Sequence, residues 1–360
     1  MSGPGRGDSL RLLYIGPFNS PHLEDMAIAM RDRGHVVQVG GHLWGGMPES
    51  SLPGRGVTTS SMTFPAVFWL RRLVREFRPD IVHAHWMPFA ALAAIAGARP
   101  FVATAWGSDV YGVGRRGLLE IRVALRRASI AMADSAHLLA RLEQLGPSSL
   151  RTKLVNWGVD LETFRTPTVD ERAALKAKFQ LDTGPVVLSP RGLTEIYNPA
   201  VIVSAFERVR AAVPDSQLVL KHGGGDLPPE WRETPGIHVV GPIEYGEMAE
   251  LFRASEVTVS IPGSDSSPRS VWEAMASGSA TVLSDLPWVH ELIADGRDAL
   301  VVEPQADAVA AAVERLLLTD QERQRIAASG RKLVERHRDR EVELARIEAT
   351  YWELARQSKD

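Results

Sequence analysis

Asp265 and Glu273 stand eight positions apart in SIPGSDSSPRSVWEAMASGSATVLSDLPWVHELI, residues 260–293. An apolar run, Val257–Ile261, leads into a loop of Gly, Ser, Asp and Pro, and the pattern over Arg269–Ala276 predicts a helix. Where such a loop enters a helix, the first backbone N–H groups have no helical partner and point at the crevice above the sheet, which suits an anion. A carboxylate one turn further on, Glu273, can accept hydrogen bonds from sugar hydroxyls, those of a nucleotide ribose foremost. A simpler account competes with this one. Ser270 and Glu273 have the S-x-x-E spacing of a capping box, in which Glu273 would only cap a helix.

Positive charge stands at two similar places. Arg191 in SPRGLTEIYNP (189–199) follows the apolar run Val186–Ser189, and alone it reads as a surface arginine beside a turn. Lys221 ends the run Gln217–Lys221 and precedes His222–Gly223–Gly224–Gly225–Asp226. A glycine run admits close approach of a ligand, and is equally what a plain turn needs. In the first half, GPFNSPH (16–22), HAHW (83–86) and FVATAWGSD (101–109) each continue an apolar run, and they offer His22, His85 and Asp109. An aspartate in a GSD turn is also a natural helix N-cap.

The elements that must hold these residues alternate. Strands Leu10–Ile15, Val36–Gly40, Ile81–Ala84, Phe101–Ala105, Ile130–Ala133 and Lys153–Val155 are interleaved with helices, and the pattern restarts after Asn156–Asp160 with Val186–Ser189. Continuous apolar strands between helices predict open parallel sheets covered on both faces. The fold expected is α/β with two consecutive Rossmann-like doubly wound domains. Their bounds are 10–165 and 166–336, after a disordered N-terminus at 1–9 and before a final helix at 337–360. A chain of 360 residues suits two cores. Its 44% hydrophobic and 24% charged content is that of a soluble enzyme. The net charge of −3 gives no pull toward nucleic acid. With no cysteine, disulfides, thiolate metal sites and cysteine nucleophiles are excluded. MSGPGRGDS lacks the pattern of an export signal, and Met87–Trp106 parses as a core helix and a buried strand rather than a membrane span. A cytoplasmic protein is expected.

These motifs resemble those of the GT-B glycosyltransferases, specifically the retaining family 4, glycosyl transferases group 1, and the resemblance covers nearly the whole chain. Glu273 in WEAMASG matches the second glutamate of the family's E-x7-E motif, and Asp265 replaces the first with a shorter carboxylate. The resemblance implies that Glu273 holds the ribose, and that Asp265 with Ser266, Ser267, Arg269 and Ser270 lies at the sugar and diphosphate. Arg191 stands where the family has an arginine, but Tyr197 holds the place of its lysine, and Lys221 or Arg269 could supply the missing charge instead. Ile243 matches the position whose main chain holds the base, and Tyr245 or Glu244 would tune base choice. Gly16 and Gly223 would lie against the donor. In the first domain, Asp80 and HAHW resemble a D-x-V-H-x-H element. FVATAWGSD resembles T-x-H-G-x-D with Trp106 in the histidine's place, which hands that role to His85 or His22. Asp109 is retained, to orient or deprotonate the acceptor hydroxyl or to cap a helix. The active site implied is the cleft between the domains, and the last helix would cross back to the first domain through Tyr351–Trp352.

The implied activity is transfer of a hexose-type sugar from a UDP- or GDP-sugar to a hydroxyl of a small natural-product, cyclitol or saccharide acceptor, with retention and without a metal or other cofactor. The lack of a D-x-D motif agrees with a GT-B enzyme. The residues expected to carry catalysis are Asp109, Arg191, Asp265 and Glu273. Two alternatives stand beside this one: another GT-B enzyme, such as a nucleotide-sugar epimerase or a pseudo-glycosyltransferase, or a catalytically weak sugar-nucleotide-binding homologue. Arginines at 71, 72, 75 and 78 and around 115–127 make two basic helices, which suit a solvated face better than peripheral membrane contact. Nothing in the sequence fixes an oligomeric state.

Overall fold

The computed structural model describes residues 9–43, 52–223, 225–241 and 243–358. Apart from Ser9, the expected N-terminal disorder lies outside the described residues, as do Gly224 and Pro242. The chain forms two compact units. One runs up to Trp157 and takes back the chain from Val342, and the other is Gly158–Glu341. The second unit starts ahead of the 166 expected because Val159 and Phe164 are already buried in its core.

The first unit contains β1 (Arg11–Pro17), α1 (Pro21–Asp32), β2 (Val36–His42), β3 (Thr58–Ser61), α2 (Ala66–Phe77), β4 (Ile81–His85), α3 (Met87–Ala96), β5 (Phe101–Thr104), α4 (Arg115–Leu125), β6 (Ile130–Ala133), α5 (Ala136–Leu145) and β7 (Thr152–Leu154). Its strands form one sheet of seven, all parallel, in the order β3-β2-β1-β4-β5-β6-β7. Successive side chains of a strand point to opposite faces, and here both faces are apolar. Leu13, Ile15, Val82 and Phe101 face a core with α2 to α5, while Leu12, Tyr14, Ile81 and Val102 face one that includes α1.

The second unit contains α6 (Val169–Lys178), β8 (Val186–Ser189), α7 (Pro199–Ala212), β9 (Gln217–Lys221), α8 (Pro229–Glu233), β10 (Ile237–Val240), α9 (Tyr245–Ala254), β11 (Val257–Ser260), α10 (Arg269–Ala276), β12 (Ala280–Ser284), β13 (Leu300–Val302), α11 (Ala306–Leu318) and α12 (Asp320–His337). Its six parallel strands run β10-β9-β8-β11-β12-β13. In each sheet the order reverses beside the unit's first strand, between β1 and β4 and between β8 and β11. Ligands of open α/β sheets bind outside the carboxyl ends of the strands at such a reversal.

The last helix, α13 (Arg340–Gln357), belongs almost wholly to the first unit. Leu344, Ile347, Tyr351 and Leu354 join the core around Leu12 and Tyr14. Tyr351 is fully buried, and its hydroxyl meets the Tyr14 hydroxyl at 3.0 Å and His83 Nδ1 at 2.6 Å. His83 Nε2 meets Thr104 Oγ1 at 2.6 Å, so a polar chain ties the helix to β1, β4 and β5. Burial holds the His83 pKa down at about 3, which leaves the ring neutral in this chain.

Two strands run where the sequence predicts none. β3 is the exposed polar edge TTSS, and β13 is only three residues long. Met87–Trp106 divides into α3, closed by Gly97 in the left-handed conformation, and β5. Among the described residues no helix is long and apolar enough to cross a membrane.

Candidate active site

In the second unit the sequence-predicted residues gather where β8, β9 and β11 end. α10 starts at Arg269 behind Pro268, and no side chain caps it. The capping account of Glu273 therefore fails. The Ser270 hydroxyl lies 3.5 Å from Arg191 instead. Glu273 is buried and pairs one turn back with Arg269 at 2.8 Å, and its Oε1 accepts a hydrogen bond from the Tyr245 hydroxyl at 3.0 Å. The Arg269 guanidinium lies 4.8 Å from the Tyr245 ring centre and also donates to its hydroxyl. Tyr245, the first residue of α9, thus stands over the ion pair. Glu244 closes a reciprocal cap with Glu247 at the start of α9, so of the two candidates for base choice Tyr245 is the one at the site. Ile243 packs against the core beside it.

Arg191 follows β8 and pairs with Asp265 at 2.9 Å. Tyr197 does not add a charge there, since its ring lies under the Arg191 guanidinium at 4.4 Å. Burial works against the charged form of Arg191, but Asp265 and Tyr197 outweigh it and raise the pKa, so the guanidinium stays charged. Lys221, at the end of β9, makes no hydrogen bond or ion pair with any described residue. Burial and the neighbouring Arg191 lower its pKa against the opposing pull of Glu273. A Cβ added at Gly223 would lie 3.6 Å from the Lys221 Nζ, so this glycine leaves the ammonium uncovered.

The loop after β11 is braced from two sides. Gly263 N donates to Ile196 O at 2.8 Å, and Asn198 Nδ2 donates to Ile261 O at 2.8 Å. Ser266 N donates to Asp265 Oδ1 at 2.8 Å. Ser267 takes a positive φ of 44°, sparse for a residue with a Cβ, and its hydroxyl accepts from Trp272 Nε1 at 2.9 Å. The loop is thus held by its own polar atoms, by the 196–198 segment and by α10.

In the first unit, the expected acceptor residues meet at the ends of β1, β4 and β5. His85 is fully buried, with His83 at 4.3 Å, Trp157 and Tyr14 each at 5.5 Å, and Trp106 at 6.1 Å between ring centres. Neither of its ring nitrogens has a hydrogen-bond partner among the described residues. Burial, His83 and His22 hold its pKa well below that of a free imidazole, so it is neutral. His22, at the start of α1, is half-buried and lies 5.1 Å from Trp157 and 5.6 Å from Trp106. Gly16 is set among protein atoms, because a Cβ there would meet Leu23 Cδ1 at 2.6 Å and His85 O at 3.2 Å. Its lack of a side chain lets β1, α1 and β4 close up.

Asp109 has a more definite part than either of its sequence readings. Its Oδ2 accepts from Met87 N at 2.6 Å and its Oδ1 from Trp106 N at 2.8 Å. It caps the first turn of α3 from another loop and fixes the peptide that carries Trp106. Burial outweighs these bonds and raises its pKa to about 6. Both of its oxygens are thus engaged by main chain, and Asp109 positions the Met87 and Trp106 amides. The sequence left Trp157, Asn198 and His83 without a role. The Trp after the last strand of the first unit was the available signal for Trp157. Among the described residues no group of three or more His, Asp or Glu side chains gathers as a metal site.

Two family models match the chain: "Glycosyltransferase Family 4" over residues 20–163 and "Glycosyl transferase-like" over 204–349. The chain is 26% identical over 351 residues to a phosphatidyl-myo-inositol mannosyltransferase of Mycobacterium tuberculosis, covering 88% of each. It is 27% identical to a GDP-mannose-dependent alpha-(1-6)-phosphatidylinositol monomannoside mannosyltransferase of Mycolicibacterium smegmatis, covering 73% of each. Its fold is that of Anabaena Alr3699/HepE, solved with UDP-glucose, at a TM-score of 0.82, 17% identity and coverage of 96% and 100% of the two chains. Sucrose-phosphate synthase of Thermosynechococcus elongatus gives 0.81, 18%, 96% and 99%. With the two models together spanning most of the chain, and with the GT-B fold shared, the chain belongs to the group 1 glycosyltransferases of family 4 and is an enzyme of that class.

Proposed function

We propose that the enzyme moves a hexose-type sugar from a UDP- or GDP-sugar to a hydroxyl of a small acceptor, with retention and without a metal. The donor would occupy the second unit and the acceptor the first. The observation that carries this is the charge distribution at the ends of β8, β9 and β11. Arg191 is held charged by Asp265 and Tyr197, Lys221 is an ammonium with no hydrogen bond or ion pair among the described residues, and Glu273 is a buried carboxylate one turn into α10. The relatives named for GDP-mannose and the UDP-glucose complex on the same fold support a nucleotide sugar as donor.

In the reaction proposed, the bond between the sugar's anomeric carbon and the diphosphate oxygen breaks. A bond to the acceptor oxygen forms on the same face, and the acceptor proton passes to the departing phosphate. Charge grows on that phosphate as it leaves, so fixed cations aimed at it lower the barrier. Arg191 and Lys221 are the cations proposed for it. Arg269 is already committed to Glu273 and Tyr245, and by holding that carboxylate it would keep Glu273 ionised for the ribose hydroxyls. Retention needs no protein nucleophile in this scheme, and the enzyme contributes positioning and electrostatics. The test is donor consumption with UDP- and GDP-sugars, with and without hydroxylated acceptors and with a chelator present. Acceptor-dependent turnover that survives the chelator, and a product of unchanged anomeric configuration by NMR, are expected. Turnover abolished by the chelator, or an inverted product, would overturn the proposal.

A further inference from the structure

A second concentration of positive charge lies at the other edge of the second sheet. A cavity of about 420 Å3 opens between α6, α12 and the starts of β11 and β12. Glu256, on its floor, immediately precedes β11, whereas the donor-site residues follow the strands' carboxyl ends, so in a parallel sheet the two sites lie at opposite edges. The cavity is lined by Arg172, Arg323, Arg331 and Lys332 against Glu256 and Glu335. Its volume is within the range of small-molecule pockets, roughly 300–1,000 Å3.

The charges do not cancel. Glu256 is already satisfied from outside the cavity, accepting from Lys176 Nζ at 2.8 Å and from Val186 N at 2.7 Å. Arg172 reaches it only at 3.9 Å. Arg331 gives Nη1 to the Phe164 and Ala276 carbonyls and Nε to Glu335 at 2.7 Å, so these two ions answer each other. Arg172 and Lys332 remain, with Arg323 beside them. Arg172 bonds the Arg253 carbonyl through Nε, which leaves its terminal nitrogens for a ligand. Arg323 pairs with Asp320 at 2.7 Å and bonds the Leu316 carbonyl. Lys332 has no hydrogen bond or ion pair among the described residues. Burial lowers the Arg172 pKa, with Glu256 opposing the shift and the nearby Arg323 adding to it.

We propose that this cavity is an anion site, separate from the donor site, that takes a small phosphorylated molecule through Arg172, Arg323 and Lys332. A guanidinium offers two parallel N–H donors to a phosphate, and Lys332 adds a point charge. The inference does not rest on the donor-site reading, and the experiment keeps the two apart. Calorimetry on the full chain would use inorganic pyrophosphate and glucose 1-phosphate as probes, with Arg191→Gln/Lys221→Gln protein to weaken the donor site. Saturable binding of one anion per chain is expected in that protein. It should fall at least about tenfold when Arg172→Gln and Lys332→Gln are added, since each charge-assisted contact contributes about 1.5–3 kcal/mol. Because Arg172 also contacts α9, the exposed Lys332→Gln change alone is the second variant, with a smaller loss expected and an unaltered melting profile. UDP affinity should be unchanged by either cavity variant. Absence of binding in the donor-weakened protein, or binding indifferent to both Arg172 and Lys332, would overturn the proposal.

Discussion

Lys221 is the residue whose chemistry the sequence left most open, because motif spacing could only show that Tyr197 stands where a cation was expected. Among the described residues Arg269 is paired with Glu273, Arg191 is stacked on Tyr197, and Lys221 makes no hydrogen bond or ion pair. Lys221→Gln should weaken UDP or GDP binding by about tenfold to a hundredfold, the worth of one charge-assisted phosphate contact. Its lowered pKa gives the sign of the pH effect. The ammonium is lost as pH rises, sooner than from an ordinary lysine. Diphosphate affinity of the wild type should therefore decline as pH is raised toward 10, and the Lys221→Gln profile should be flat over the same range. A wild-type profile flat to pH 10 would remove Lys221 from the site. Glu273 and Arg191 were legible from their motifs. The Arg269–Tyr245 clamp on Glu273 was not, because it joins α9 to α10 through side chains that no local pattern relates. Asp109 was legible as important, but its work on the Met87 and Trp106 amides depends on two loops meeting in space.

At the level of elements, the buried parallel strands were legible because their apolar runs are continuous. β3 and β13 were not, since an exposed edge of Thr and Ser and a three-residue strand carry no apolar signal. The return of α13 rests on an expected aromatic anchor, but the polar chain from Tyr351 through His83 to Thr104 needed the packed structure. That chain has a consequence for stability. His83 and His85 are held neutral by burial, with folded-state pKa values below that of a free imidazole, near 6.5. The unfolded chain therefore takes up protons first as pH falls. Stability is fully present above about pH 6.5 and is lost progressively below it, by about 1.4 kcal/mol per pH unit for each histidine. Asp109 shifts the opposite way, and its contribution falls as pH rises toward about 6. His83→Gln should isolate the first effect. Its urea midpoint should be lower than the wild type's at pH 8, and the gap should narrow as the pH is taken from 6.5 to 5. A gap constant across that range would mean that His83 is not neutral in the native state.

For the whole molecule, each unit presents one strand reversal, and each reversal collects residues of a different character. The first gathers rings, His22, His85, Trp106 and Trp157, and the second gathers paired and unpaired charges. A carboxylate among cations, beside an internally hydrogen-bonded loop, suits a nucleotide diphosphate, while a cluster of tilted and edge-on rings suits the face of an organic acceptor. The division into two such units was legible because the β–α alternation restarts, although the boundaries fall after Trp157 and Glu341 rather than after 165 and 336. The most direct test is calorimetric titration of the full chain with UDP and GDP, repeated on Glu273→Ala, with Glu273→Gln as the variant that keeps the side chain's shape. One nucleotide diphosphate should bind per chain, and affinity should fall about tenfold to a hundredfold in both variants, with folding unchanged in the glutamine form. If neither nucleotide binds, or if both variants bind as tightly as the wild type, Glu273 does not hold a donor ribose and the second unit is not a nucleotide-sugar site.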